Sequence, residues 1–391
     1  MSLAHPQFLP APDVASAEHS ARMQTHLAAR VSSQGGISFA QFMQEVLYAP
    51  GLGYYSAGAT KFSMAGDFTT APESGALFGR LLARHFNVVR AALPDASIIE
   101  FGAGSGRLAL TMLSELHDMN RLPARYIIVE VSADLRERQR ELLATRLGDL
   151  ASCVTWVDDP ASLHLEAMIV ANEVMDALPV ERFRVDEQGA IEQQFVVVGE
   201  GGALETEWRG ASTELKTHVK QLQQRLGREL PNDYQSEACL MLPGWLRLLA
   251  QALERGVVVL SDYGYGRQDF YREERQRGTL TCHFRQHAHH DPLLLPGIQD
   301  VTAWVDFSLV AETLRDAGLE YLGFTNQSQF ALQGGIAELA RDTDDAIDLA
   351  REVQMLTMPG QMGERFRLLA FHRHCQVRLP GFTGRDYGYQ L

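Results

Sequence analysis

From residue 96 onward, short apolar runs alternate with segments of helical period, the layout of a parallel sheet covered by helices. The runs predict strands at 96–101, 125–130, 153–157, 166–171, 256–262, 319–325 and 365–372. Two further runs, 180–186 and 191–198, flank Glu187-Gln-Gly-Ala190 and predict a hairpin. Ahead of the sheet, residues 1 to about 35 are rich in Ala, Ser and Pro with weak periodicity, a frayed arm and then a helix. Ser38 caps a helix over 37–48 with Phe39, Phe42, Met43 and Val46 on one face. The next helix starts at Thr70-Ala-Pro-Glu73, where Thr70 and Glu73 form a capping box, and its apolar face is Leu77, Phe78, Leu81, Leu82 and Phe86. Insertions fall near 205–250, where 205–235 is charged and helical and reads as peripheral to the core, and near 263–305, rich in His, Arg, Pro and Gly. The expected architecture is α/β: a helical cover over 1–90, then a doubly wound, seven-stranded, Rossmann-like sheet over 91–391. Its last strand is antiparallel, reached through a helix near 336–354.

A chain of 391 residues, 46% of them apolar, can bury such a core with room for insertions. The net charge of −14 argues against a surface that tracks phosphates and suits a cationic substrate. The four cysteines (Cys153, Cys239, Cys282, Cys375) form no CxxC pair or disulfide framework, which points to a reducing, cytoplasmic home. No signal-peptide pattern and no apolar stretch of membrane-spanning length is present. Oligomeric state is not readable from the sequence.

The chemistry concentrates at Glu100-Phe-Gly-Ala-Gly-Ser-Gly106, which follows the first strand and opens into a helix bearing Leu108, Met112, Leu113 and Leu116. A strand, a glycine turn and a helix N-terminus together admit a nucleotide-like ligand. A dinucleotide fingerprint needs G-x-G-x-x-G, but Arg107 occupies the last position and the pattern is E-x-G-x-G-x-G. An acid before the glycines suits a ligand with a cationic end, such as the amino group of S-adenosyl-L-methionine, and predicts a methyltransferase site. Glu130, closing the second strand, is placed to accept the ribose hydroxyls. Asn172, Glu173 and Asp176 follow the fourth strand, and Asp262 and Tyr263 the fifth, at the sheet edge where ligands bind. The run Cys282-His283 to His289-His290-Asp291 has zinc-ligating residue types, but its spacing matches no standard structural site, so no metal is expected. Tyr54-Tyr55 either lines a pocket or packs in a turn.

Gly66-Asp-Phe-Thr-Thr-Ala-Pro-Glu73, the glycine turn, residues 171–183 (ANEVMDALPVERF), Asp262-Tyr-Gly264, and Gly278-Thr-Leu280 through His290-Asp-Pro292 to Val305-Asp-Phe307 follow in order. Together they resemble the MidA-like family of S-adenosyl-L-methionine-dependent methyltransferases, over about Ile37 to Phe371. The turn carries Ala-Gly-Ser-Gly as bacterial members do, where mitochondrial members carry Pro-Gly-Arg-Gly. The resemblance implies a cofactor pocket from Glu100, Gly102, Gly104, Gly106 and Glu130, with Asn172 beside it and the Gly66-Asp67-Phe68 loop closing over it. It also implies that Asp158 or Asp159 contacts the adenine amine. Mitochondrial members methylate an arginine of a respiratory complex I subunit, so the implied acceptor is a protein arginine, and a respiratory-complex subunit is the implied partner. Carboxylates suit a guanidinium: Glu173 is the expected clamp, with Asp176 or Asp67 as the second. The alternatives are a small-molecule methyltransferase or a cofactor-binding assembly factor without turnover. Arg107 disfavours a nicotinamide dehydrogenase.

Overall fold

Each of the seven apolar runs is a strand in the computed structural model, which describes residues 9–56, 71–341 and 346–391. These are β1 (Ser97–Phe101), β2 (Tyr126–Val129), β3 (Val154–Val157), β4 (Leu165–Asn172), β5 (Leu253–Tyr265), β6 (Glu320–Asn326) and β7 (Phe366–Arg373). Their spatial order is β3-β2-β1-β4-β5-β7-β6. The pairs from β3 to β5 are parallel, whereas β7 runs antiparallel to both its neighbours, as expected. Strands with both faces covered read as unbroken apolar runs, which is why β1 is buried at all five positions. The order reverses between β1 and β4, so the crevice beyond their carboxyl ends is the place a ligand binds. Helices Ile336–Arg341 and Ala346–Thr357 precede β7, in the stretch where a helix near 336–354 is expected; residues 342–345 lie outside the described ones.

The chain divides into two compact units. The sheet belongs to one of them, formed by Thr69–Met175, Pro243–Gly266 and Val305–Leu391. The other comprises Met1–Phe68, Asp176–Leu242 and Arg267–Trp304. A boundary near residue 90 therefore does not match the division: the helix Leu77–Ala92 folds with the sheet. Its buried face is the predicted one, Leu77, Phe78, Leu81, Leu82 and Phe86. Its start is not. A short helix, Ala71–Ser74, comes first, and the long helix begins at Leu77 without a side-chain cap of its own. The Glu352 carboxylate accepts the Leu77 N–H instead. Thr70, half of the expected capping box, lies outside the described residues.

The predicted hairpin and the second insertion both contribute to the second unit's core. Val180, Val196, Leu280, Cys282 and Val301 pack with Met23, Leu27, Phe42 and Met43 of two N-terminal helices, Val14–Gln34 and Phe39–Tyr48. The second of these has the expected Ser38 cap, completed by Gln41. The predicted hairpin forms, with Phe183 opposite Gln193. Residues 204–210, expected as helix, are a strand paired along 192–198, and the helix is confined to Thr213–Leu226. Residues 281–284, 287–289 and 300–302 form a small antiparallel sheet.

In the sheet unit, His85 fastens the C-terminal segment. Its ring is fully buried and stacks on Phe330 at 4.5 Å between centroids. Nε2 accepts the Gly381 N–H at 2.8 Å, so the neutral tautomer donates from Nδ1 to the Leu81 carbonyl, 2.6 Å away. Burial lowers the imidazole from its ordinary 6.5 to about 4. Between those values the unfolded chain takes up a proton that the folded one refuses, so stability falls as pH falls. The expected contribution lost from about pH 6.5 to about pH 4 is about 3 kcal/mol. Melting temperature followed across that range in wild type and His85→Gln checks this: the wild-type slope should be the steeper, and equal slopes would refute it.

Candidate functional site

Residues in register on parallel strands point to the same face of a sheet, and side chains alternate along each strand. Glu100 of β1 pairs with Ile128 of β2 and Val170 of β4, and Val170 pairs with Val259 of β5. Two residues further along, Asn172 pairs with Ser261. Glu100, Asn172 and Ser261 therefore share one face at the carboxyl edge, with Glu130 two residues beyond Ile128.

The glycine turn is built as the motif requires. Gly102, Gly104 and Gly106 have φ of 67°, 52° and 86°, the left-handed region that glycine enters without steric cost. A Cβ on Gly102 would also stand 2.8 Å from Val174 Cγ2, so the turn and the segment after β4 approach closely only because position 102 is glycine. Ser105 donates to Glu73, whose carboxylate lies 3.8 Å from Arg107 Nε. An acid thus stands at the start of the helix Arg107–Asp118, where a pyrophosphate would need a site free of negative charge.

Two carboxyls sit below this turn. Glu100 is 2% exposed and its Oε2 accepts from the Tyr126 hydroxyl at 2.7 Å. Burial pushes it up to about 7; the Tyr126 bond opposes that and the Glu130 charge adds to it. Glu130, also buried, accepts from Ser132 N–H at 3.0 Å and from Gln139 Nε2 at 3.3 Å. Burial raises it too, against those two hydrogen bonds. Gln139 was not anticipated. It also donates to the Gly104 carbonyl at 2.9 Å and accepts from Trp156 Nε1 at 2.8 Å, tying the turn, Glu130 and β3 together.

At the end of β4, Glu173 has φ 54°, a conformation uncommon for a residue with a side chain. Its N–H donates to the Ser261 carbonyl at 2.9 Å, and its Oε1 accepts from Asn172 Nδ2 at 3.0 Å. Asp262 braces the same turn, accepting from Met175 N–H at 2.9 Å and Tyr263 N–H at 2.8 Å. Its role in these contacts is to shape the backbone beside the site.

Asp158, largely exposed after β3, pairs with Arg136. Asp159 accepts from Ala161 N–H and caps the turn 160–162. Asp176 is buried but folds with the second unit, where its charge bears on Tyr55. Tyr55 stacks on Tyr48 and donates to Asp300 at 2.9 Å, a packed turn. Gly66 and Asp67 lie outside the described residues. In the histidine-rich stretch, Cys282 is core, His290 bonds the Leu280 carbonyl and Asp291 caps Leu293 N–H. Among the described residues no three of His, Cys, Asp and Glu gather as a metal site would.

A nucleoside with a cationic end fits this set. Gly104 leaves open space over the turn, Glu130 can take ribose hydroxyls, and the buried Glu100 would be relieved by a cation.

A family sequence model described as "putative S-adenosyl-L-methionine-dependent methyltransferase" matches residues 77–325. The Drosophila melanogaster "protein arginine methyltransferase NDUFAF7 homolog, mitochondrial" is 31% identical over 380 residues, covering 88% of this chain and 83% of that protein. Human "protein arginine methyltransferase NDUFAF7, mitochondrial" is 28% identical, covering 91% and 84%. A Burkholderia thailandensis crystal structure with S-adenosyl-homocysteine bound is 35% identical, with a TM-score of 0.90, covering 98% of this chain and all of that one.

Proposed function

The chain belongs to the MidA-like family of S-adenosyl-L-methionine-dependent methyltransferases, and from that premise we propose that it methylates an arginine side chain of a protein. When bound, the cofactor supplies a methyl group on a positively charged sulfur. Glu100 would hold its amino group, Glu130 its ribose and Asp158 its adenine amine, with Gly102, Gly104 and Gly106 admitting it close to the backbone.

The observation that carries the arginine reading is Glu173, a carboxylate in strained backbone that accepts a hydrogen bond from Asn172. Backbone strain of this kind persists where the surroundings enforce it, often at active sites. A carboxylate can take paired N–H groups of a guanidinium and present one nitrogen edge-on. Holding the acceptor in line supplies most of the rate for a displacement of this kind. After transfer, the methylated guanidinium sheds a proton to carboxylate or water. The net charge of −14 favours a cationic acceptor, and the family resemblance makes a respiratory-complex subunit the first to test. The four cysteines are free thiols, which supports a cytoplasmic setting, and no described helix is long and apolar enough to cross a membrane.

The test is transfer of labelled methyl from the cofactor into an extract of the host lacking this gene, with purified protein added. Label at arginine of one or a few proteins is expected. Label confined to small molecules would replace the proposal with metabolite methylation, and no label would leave a binding protein without turnover.

Glu100 makes cofactor binding depend on pH. Its carboxyl holds a proton up to about pH 7, and that proton must leave before a cation can be held. S-adenosyl-homocysteine affinity should therefore rise by up to about tenfold per pH unit between about pH 6 and about pH 7. Glu100→Gln should flatten the dependence. Calorimetric titration that finds the same slope in both proteins would exclude the assignment.

A further inference from the structure

We propose that the Ser261 hydroxyl and the Asn172 carbonyl oxygen together form the seat for the nitrogen that receives the methyl group. This rests on the reading of the chain as an N-methyltransferase and adds a residue, Ser261, that neither the glycine motif nor the carboxylates point to. Ser261 is 2% exposed, inside the otherwise apolar run Val257–Leu260 that precedes it. A buried serine normally bonds a nearby carbonyl, because an unpaired buried hydroxyl is costly. Here Ser261 Oγ has no hydrogen-bond partner among the described residues, and neither has Asn172 Oδ1. The two residues are register partners on adjacent strands, on the same face.

The amide orientation of Asn172 follows from its neighbour. Nδ2 donates to Glu173, and flipping the amide would set its carbonyl oxygen against that carboxylate. Oδ1 is thereby left pointing away from Glu173 as an acceptor. Asn172 Oδ1 and the lone pairs of Ser261 Oγ, beside a carboxylate, suit a ligand group with several N–H donors. The strand order separates this seat from the cofactor's groups. Glu100 and Glu130 belong to β1 and β2, on one side of the point where the order reverses, while Asn172 and Ser261 belong to β4 and β5, on the other. The pair accepts hydrogen bonds that hold the nitrogen; it takes part in no bond change.

The experiment compares wild type and Ser261→Ala in three measurements: S-adenosyl-homocysteine affinity by calorimetry, melting temperature, and labelled-methyl transfer over a dilution series of the gene-deleted host's extract. The expected result is transfer reduced about 10- to 100-fold in dilute extract and partly recovered in concentrated extract, the size of a lost hydrogen bond to a charged group. Affinity for S-adenosyl-homocysteine should stay within about twofold, and the melting temperature should hold or rise, because the hydroxyl removed is unpartnered. Transfer equal to wild type would overturn the seat while leaving the arginine reading intact. A parallel fall in all three measurements would make Ser261 structural and also overturn it. Wild-type label on a small amine, still sensitive to Ser261→Ala, would keep the seat and discard the protein-arginine reading. Wild-type label on oxygen or sulfur would discard both.

Discussion

Replacing Glu173 with Gln is expected to lower methyl transfer by about 100- to 1,000-fold, the usual cost of removing a group aimed at developing charge. Affinity for S-adenosyl-homocysteine should remain within about twofold. The side chain keeps its shape, so the Asn172 amide still has an oxygen to meet, but the charge that holds a guanidinium is gone. A second substitution separates chemistry from folding. Glu173 stands at φ 54°, where a side chain costs roughly 1–2 kcal/mol relative to glycine. Glu173→Gly should therefore unfold no more easily than wild type, and even later, while losing transfer as severely. A residue kept against its own backbone preference gives that pattern only if its side chain serves the reaction. Loss of transfer and cofactor affinity in equal measure would instead make Glu173 part of the cofactor pocket or of the fold.

Glu237→Ala should be the most destabilising of these changes, by about 3–5 kcal/mol, through an unpaired buried charge. Glu237 is 2% exposed. One oxygen lies 3.5 Å from Arg182 Nε, and the other accepts from Thr279 N–H at 2.7 Å and from its hydroxyl at 3.1 Å. Gly278 lets this happen: a Cβ there would stand 2.2 Å from the carboxylate, and its φ of 76° is itself a glycine conformation. Arg182 also donates to Gln194 at 2.9 Å and lies over the Phe39 ring, so removing the acid strands a cation inside the second unit's core. Changing both partners to apolar residues, Arg182→Met with Glu237→Leu, should recover much of the loss. Urea unfolding of the single and double variants measures it. A single variant within about 1 kcal/mol of wild type would show that the pair is already solvated.

The seven strands were readable within one to three residues because parallel strands buried on both faces leave continuous apolar runs. The glycine turn was readable because its left-handed positions admit little but glycine. What escaped was long-range. Glu352 caps a helix that begins 275 residues earlier, while the local capping-box pattern named Thr70 and Glu73; Glu73 in fact meets Ser105. Residues 204–210 alternate charged and uncharged side chains as a half-exposed strand should, but the charged helix after them masked that period. The core role of Leu280, Cys282 and Val301 in the second insertion was hidden because apolar residues are sparse there and gather against Met23, Leu27 and Phe42. Ser261 did carry a signal: one hydroxyl in a run of valines and leucines.

The central claim is that this chain places a methyl group on arginine nitrogen. Its most direct test is amino-acid analysis of the labelled protein fraction from the gene-deleted extract, after acid hydrolysis. Label eluting as methylarginine, and absent when Glu173→Gln replaces the wild type, is the predicted result. Label in any other amino acid, or methylarginine formed equally well by the variant, would contradict it.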